Sequence, residues 1–331
     1  ECTLAMSAVI CLVLAALPLL GKKCSARSVS LVFLIVFLGL LIPWRLSPAR
    51  PAVTLTLPAA ATARPAAYPA VQPVAGRQET AAQPAGQAAT QTRDTAVSAA
   101  QGAAEGRPLP VGKIVFCVWA AGALAVLLWN LCGYARFRRI VRRWARPVQE
   151  ERCRRALRQA RRDVGVKAPA RLRCCPAVGS PMLVGANRPM ILLPDLQLND
   201  RELALIFRHE LTHLKRRDVL RKAIALAGCT LHWFNPLVWI AARSQAFYCE
   251  AACDESVLRG ADLDERQYYS ETIIAVIRRQ SGPRTVLSTS FYGGKKGMKK
   301  RILAIMSQHR KRLGALLVAA ALAATLGAGM C

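Results

Sequence analysis

Acidic residues are scarce in this sequence: 19 Asp and Glu stand against 47 Lys and Arg in 331 residues, a formal charge of +28. In a chain that is 53% hydrophobic, that imbalance argues against a single soluble domain. It suits a membrane protein whose basic residues gather on one side. About 37 of the 47 cations fall in residues 133–312, beside about 15 acids. Ordered cysteine spacing is missing too. The twelve cysteines are scattered, with Cys174-Cys175 the only adjacent pair and no C-x-x-C. This excludes a disulfide framework or a zinc ribbon and leaves reduced cytosolic or in-membrane thiols. Histidine is rarer still, at four residues, so a pattern that uses two of them carries weight.

What is present begins with apolar runs. Residues 3–20 are apolar over about the length a bilayer requires, without the basic leader of a signal peptide. A basic turn from Gly21 to Arg27 follows, then a second run at 29–44, so residues 1–44 read as a membrane hairpin with a cytoplasmic turn. The sequence opens on Glu1 rather than Met, and a true start upstream is expected. Residues 45–110 are rich in Ala, Pro, Gln and Thr and nearly free of large apolar side chains. Such a stretch cannot bury enough surface to offset chain entropy and reads as a disordered extracytoplasmic loop. Residues 111–132 form a third span with Trp119 and Trp129 as interface anchors, and 313–331 a fourth.

The intervening residues 133–312 read as a cytosolic domain. The arginine-rich stretch from Arg136 to Arg162 could serve nucleic acid or anionic lipid. The adjacent span favours lipid, and no finger, RRM or cold-shock signature speaks for direct nucleic-acid binding. Short apolar runs at 170–175, 182–185 and 189–193, separated by Pro, Gly and Asn, predict a small sheet of two or three strands. A sheet beside the helix that follows could take an extended peptide as an added strand. Asn199 or Asp200 caps that helix, which runs through Leu203, Ile206, Phe207 and Leu211 to Lys215-Arg216-Arg217.

On it lies Arg208-His209-Glu210-Leu211-Thr212-His213. His209 and His213, four apart, share a helix face and can bind one Zn²⁺, with Glu210 as general base. A third ligand is needed, and Glu250 is the candidate, with Asp254 one turn further on to orient a ligating histidine. The apolar stretch 223–242 cannot cross the membrane once, since His213 and Glu250 would then face opposite compartments. Asn235-Pro236 breaks it into two helices, with His232 a packing or interfacial residue, and the second helix returns Glu250. Cys253 reads as a buried structural thiol and His309 as no ligand. Further helices are expected at 267–279 and from Lys299. The fold class is therefore mostly α: membrane helices around a cytosolic α+β zinc protease domain. In the chemistry these parts permit, zinc activates a water, and Glu210 takes its proton during attack on a peptide carbonyl and passes it to the leaving amine.

The runs H-E-L-T-H-L-K-R-R-D, H-W-F-N-P-L-V-W and E-A-A-C-D-E-S-V-L resemble the BlaR/MecR family of integral membrane zinc metallopeptidases. The resemblance extends to Leu41-Ile42-Pro43-Trp44, to Ser180-Pro181-Met182-Leu183-Val184-Gly185 and to Lys299-Lys300-Arg301-Ile302. It implies a gluzincin-like site, with His209, His213 and Glu250 on zinc and Glu210 catalytic, on the cytoplasmic side of a multi-pass protein. It also implies signal transduction that ends in loss of a transcriptional repressor, and self-cleavage, for which 288–291 is the expected segment. A homodimer is a further expectation for the partners, which the resemblance does not supply. Members of the family carry an extracellular penicillin-binding sensor after the fourth span. The sequence given stops at Cys331, so either a sensor lies beyond it or another stimulus is used. Two rivals stand beside this reading. One is a housekeeping quality-control zinc protease, betrayed by constitutive degradation of unfolded membrane proteins. The other is a non-catalytic receptor or scaffold whose zinc is structural, betrayed by a closed four-ligand site.

Overall fold

A computed structural model of the chain describes residues 2–41, 111–195, 197–278, 295–307 and 314–330. The expected loop at 45–110, the segment 288–291 and His309 lie outside the described residues. The chain divides into two units, residues 1–48 with 119–331, and residues 49–118. The second is described only from residue 111, where it opens a helix; the candidate site belongs to the first.

The described residues are mostly helical with one small sheet. Helices α1 (Cys2–Lys23) and α2 (Ala26–Leu41) form the expected hairpin. Helix α3 (Val111–Trp144) runs unbroken from the apolar stretch into the arginines, so the expected span and the basic segment beyond it share one helix. Leu, Ala and Arg dominate it and no Pro interrupts it, which is enough to carry it through the change of polarity. It holds the one described stretch long and apolar enough to cross a membrane; Ala5–Leu19, Ala26–Leu41 and Gly314–Thr325 are apolar but shorter. Trp129 is 82% exposed, whereas Trp119 donates its indole N–H to Leu231 O at 2.9 Å and accepts from Trp233 at its own carbonyl. Trp119 thus ties α3 to Leu231 and Trp233.

Strand β1 (Arg146–Pro147), helix α4 (Glu151–Val164) and strands β2 (Arg171–Cys174), β3 (Met182–Val184) and β4 (Met190–Leu193) follow. The sheet order is β1-β2-β4-β3. The three strands read from the sequence are present, and β1 adds a fourth through long-range pairing of Arg146 with Cys174, which no local pattern announces. Strand β4 pairs in parallel with β2 and antiparallel with β3, Ile191 facing both Leu172 and Leu183. At the turn after β3, Gly185 has φ +87°, and a Cβ there would lie 2.8 Å from Arg188 O, so only glycine fits.

Helix α5 (Asp200–Arg216) carries the H-E-x-x-H. Asn199 and Glu202 form a reciprocal capping box at its start. Helix α6 (Asp218–Leu231) ends before Asn235, whose side chain accepts from Leu237 N to open helix α7 (Pro236–Val257). The break at Asn235-Pro236 therefore falls where the sequence puts it. Helix α8 (Leu263–Arg278) starts four residues earlier than the apolar pattern suggests, because Asp262 Oδ1 accepts from Glu265 N and caps it there. Helix α9 (Lys295–Met306) likewise begins ahead of Lys299, and α10 (Gly314–Met330) closes the described chain.

Two apolar clusters divide the packing. One joins Leu203, Phe207 and Leu211 of α5 to Leu157 of α4, Ile191 of the sheet and Ile273 of α8. The other joins Ile10 of α1, Phe33 and Phe37 of α2, Cys229 of α6, Ala241 of α7 and Ala321 of α10. Gly228 of α6 sits against Phe37, where a Cβ would approach to 2.7 Å. Helix α7 starts in the second cluster and brings its later turns against α5, and that position sets the site.

Candidate metal centre

His209 and His213 project from one face of α5, and α7 lays Glu250 against them. His209 Nε2 and His213 Nε2 are 3.1 Å apart, and Glu250 Oε2 is 3.6 Å from each. All three side chains are essentially inaccessible. A tetrahedral zinc with bonds of about 2.0–2.2 Å needs donor separations of about 3.3–3.6 Å, so this triangle fits one face of such a site to within about 0.2 Å. Glu210 is also fully buried, one position on from His209.

The second ring nitrogens decide what the first can do. His209 Nδ1 lies 2.8 Å from Tyr269 Oη, and that hydroxyl donates to Asp254 Oδ1 at 2.7 Å, so the imidazole N–H donates to the tyrosine. His213 Nδ1 donates to Asp218 Oδ2 at 2.9 Å. With both Nδ1–H groups committed, both Nε2 lone pairs enter one space beside a carboxylate whose oxygens accept no hydrogen bond among the described residues. A proton or a metal cation relieves that arrangement. The donor set therefore fits a divalent metal.

The charges around the triangle agree. Burial alone would lift the Glu250 pKa, yet His213, His209 and Lys222 hold it well below the ordinary carboxylate value. Lys222 Nζ is 3.6 Å from Glu250 Oε1 and Arg301 Nη1 3.5 Å from Oε2. Burial opposes protonation of His213, but the adjoining Cys253 sulfur, the Glu250 carboxylate and Asp218 more than offset it, raising its pKa well above the usual imidazole value. Asp254 is pushed up by burial but held lower still by the Arg301 guanidinium, which grips it with Nη2 at 2.7 Å from Oδ1 and Nε at 2.5 Å from Oδ2.

The structure brings His209, His213, Glu250 and Asp254 together, with Glu210 buried next to His209 on α5, and with one refinement. Asp254 reaches His209 chiefly through Tyr269, its direct approach to Nδ1 being 3.4 Å. Tyr269, Asp218 and Arg301 were not assigned roles from sequence. Asp218 closes the run H-E-L-T-H-L-K-R-R-D five residues after His213, and Arg301 lies in the run Lys299-Lys300-Arg301-Ile302, both usable signals; Tyr269 comes from another helix and carries none. Cys253 Sγ lies 3.1 Å from His213 Nδ1 and 3.4 Å from Asp218 Oδ2, with burial pushing its pKa up to about 12. His213, Asp218 and Cys253 form a second set of close donors, but on the Nδ1 side, away from the Nε2 triangle. His232 is half-buried and donates from Nδ1 to Gly228 O at 3.3 Å, a packing role.

Comparison with known proteins points the same way. The regulatory protein BlaR1 of Bacillus licheniformis is 26% identical over 200 residues, covering 60% of this chain and 33% of that protein. The methicillin resistance mecR1 protein of Staphylococcus aureus strain Mu50 is 31% identical over 100 residues, 29% of this chain and 17% of that protein. The regulatory protein BlaR1 of Staphylococcus aureus is 28% identical over 151 residues, 44% of this chain and 26% of that protein. The chain spans about a third or less of the length of these relatives. The sequence model described as BlaR1 peptidase M56 matches residues 1–305, nearly the full length given, and the chain belongs to that family.

Proposed function

We propose that this chain is the zinc metalloendopeptidase part of a membrane-embedded signalling protein, acting on a cytosolic protein such as a transcriptional repressor, or on itself. The observation that carries this reading is the triangle of His209 Nε2, His213 Nε2 and Glu250 Oε2, at 3.1, 3.6 and 3.6 Å. These three residues would hold the ion. Bound there, zinc supplies Lewis acidity that lowers the pKa of a water and polarises a peptide carbonyl. Glu210 takes the proton of the attacking water and returns it to the leaving amine. Tyr269 with Asp254, and Asp218, keep the two imidazoles in the tautomer that offers Nε2. A cavity of about 460 Å³ is lined by His213, Val219, Leu183 and Gly185, beside β3, the outermost strand in the sheet order. It supports binding of an extended peptide along that strand.

In this reading α1, α2, α3 and α10 cross the membrane and the cation-rich 133–312 stays in the cytoplasm, as the excess of Lys and Arg there favours. The rival with a structural, closed zinc site is disfavoured by one geometric point. Cys253, the available fourth ligand, faces His213 Nδ1 rather than Nε2. The test is Glu210→Gln in the full chain, with metal content and cleavage measured together, and with proteomics of cytosolic proteins lost only with the wild type. The expected outcome is one zinc per chain in both proteins and cleavage reduced by about 10²–10⁴-fold or abolished in the variant. Undiminished proteolysis by the purified variant would refute the assignment.

A further inference from the structure

Behind the zinc-motif helix lies a cleft of about 660 Å³ that the proposed peptidase chemistry does not use. It opens where the end of α5 and start of α6 meet the start of α2 and the end of α7. Its walls carry seven cations against one carboxylate, Asp163. Asp163 is taken by Arg208 at 2.7 Å. Arg27, Arg217 and Arg259 are exposed and have no carboxylate within ion-pair distance among the described residues, and Lys215 donates only to the carbonyl of Val164, at 2.7 Å. The remaining two, Arg216 and Arg221, share the buried Asp218.

Two independent features mark this cleft as built rather than incidental. The Arg216 side chain is only 9% exposed, and its Nη2 is a buried donor without an acceptor among the described residues, although its Nε donates to Asp218. A buried guanidinium donor left unmatched calls for an anion. Arg217 is the only described non-glycine residue with positive φ, at +55°. Glycine or asparagine would hold that left-handed position at lower cost, yet the chain keeps a long cation there, at the lip of the cleft.

We propose that this cleft binds a phosphate-bearing anion, either the headgroup of an anionic lipid or a soluble phosphate. The volume suits one headgroup-sized ligand, and guanidinium forks match phosphate oxygens two at a time. Arg27, on the second residue of the apolar helix α2, sets the cleft at the foot of the hairpin, within reach of a lipid surface if α2 is embedded. Arg216, in its wall, donates to Asp218, which accepts from His213 Nδ1, so an occupant that engages Arg216 meets the partner of the group that positions that imidazole. The proposal does not depend on the peptidase reading.

The experiment uses the purified full chain in detergent, its triple variant R27Q/R217N/R259Q, and a control variant R171Q/R188Q/R278Q that removes the same charge from exposed positions outside both the cleft and the arginine-rich stretch 136–162. Melting temperature is followed in sodium phosphate against sodium chloride of equal ionic strength, and native mass spectrometry follows phosphatidylglycerol against phosphatidylcholine. Asn at 217 relieves the left-handed backbone, so the triple variant is expected to fold at least as well as wild type. A phosphate-dependent rise in wild type and control, weakened about tenfold or more in apparent affinity in the triple variant, assigns a soluble phosphate. Phosphatidylglycerol adducts kept by wild type and control but lost from the triple variant assign a lipid headgroup. Equal responses of wild type and triple variant in both arms overturn the proposal.

Discussion

Replacing Tyr269 by Phe isolates the part of the centre that sequence does not reveal. The hydroxyl accepts from His209 Nδ1 at 2.8 Å and donates to Asp254 Oδ1 at 2.7 Å, inside a side chain only 2% exposed. Phenylalanine keeps the ring packed against α5 and removes both bonds. Asp254 is not free to replace them. Its Oδ1 stands 3.4 Å from the ring nitrogen, beyond a normal hydrogen bond, and Arg301 holds it there. At about 1–1.5 kcal/mol for each bond, the loss is at most about 2–3 kcal/mol, or roughly 30- to 160-fold in zinc affinity. The assay is competition for zinc against a chromophoric chelator, with circular dichroism to show that the variant is folded. A folded Tyr269→Phe that binds zinc as tightly as wild type would refute the inference that this hydroxyl fixes the histidine.

Arg301→Leu leaves Asp254 as a buried charge without its principal partner and should cost about 3–5 kcal/mol, read as a lower melting temperature; the double change with Asp254→Leu should recover much of it. If the single and double variants melt alike, the pair is not coupled. The depressed pKa of Asp254 means its contribution to stability is complete above the unfolded carboxylate value of about 3.9 and fades as pH falls toward the folded value, so Asp254→Asn should flatten the acid limb of the stability curve. The raised pKa values of His209 and His213 carry the opposite sign: in metal-free protein their stabilisation is full below about 6.5 and fades as pH rises through the folded values. Protons and zinc compete for the same Nε2 positions, so zinc affinity should climb across that range, and a flat profile would count against the site. Gly228→Ala should destabilise by about 1–3 kcal/mol, because its methyl group meets Phe37 at the packing of α6 on α2.

Local sequence determined a good deal about this chain. A pair of histidines four apart on an apolar-faced helix can only share one side of it, and Asn199 with Glu202 fixes where that helix begins. Asn235-Pro236 must interrupt the apolar stretch 223–242, because the ring of Pro236 cannot follow an intact helical turn, and that turn is what brings Glu250 back. The apolar runs and the excess of arginine between them are legible for the same reason: they depend on residues near one another in the chain. Tertiary structure alone decided the rest. Tyr269 is sixty residues from His209 and Arg301 forty-seven from Asp254, and nothing in a helical period marks one tyrosine or arginine as the partner of a distant group. The pairing of β1 with β2, the side of His213 that Cys253 takes, and the convergence of Arg27, Arg217 and Arg259 on one cleft are likewise consequences of how α2, α5, α6 and α7 pack. A side chain's neighbours across a helix interface are set by the depth and rotation of both helices, and those follow from the filled core rather than from either sequence alone.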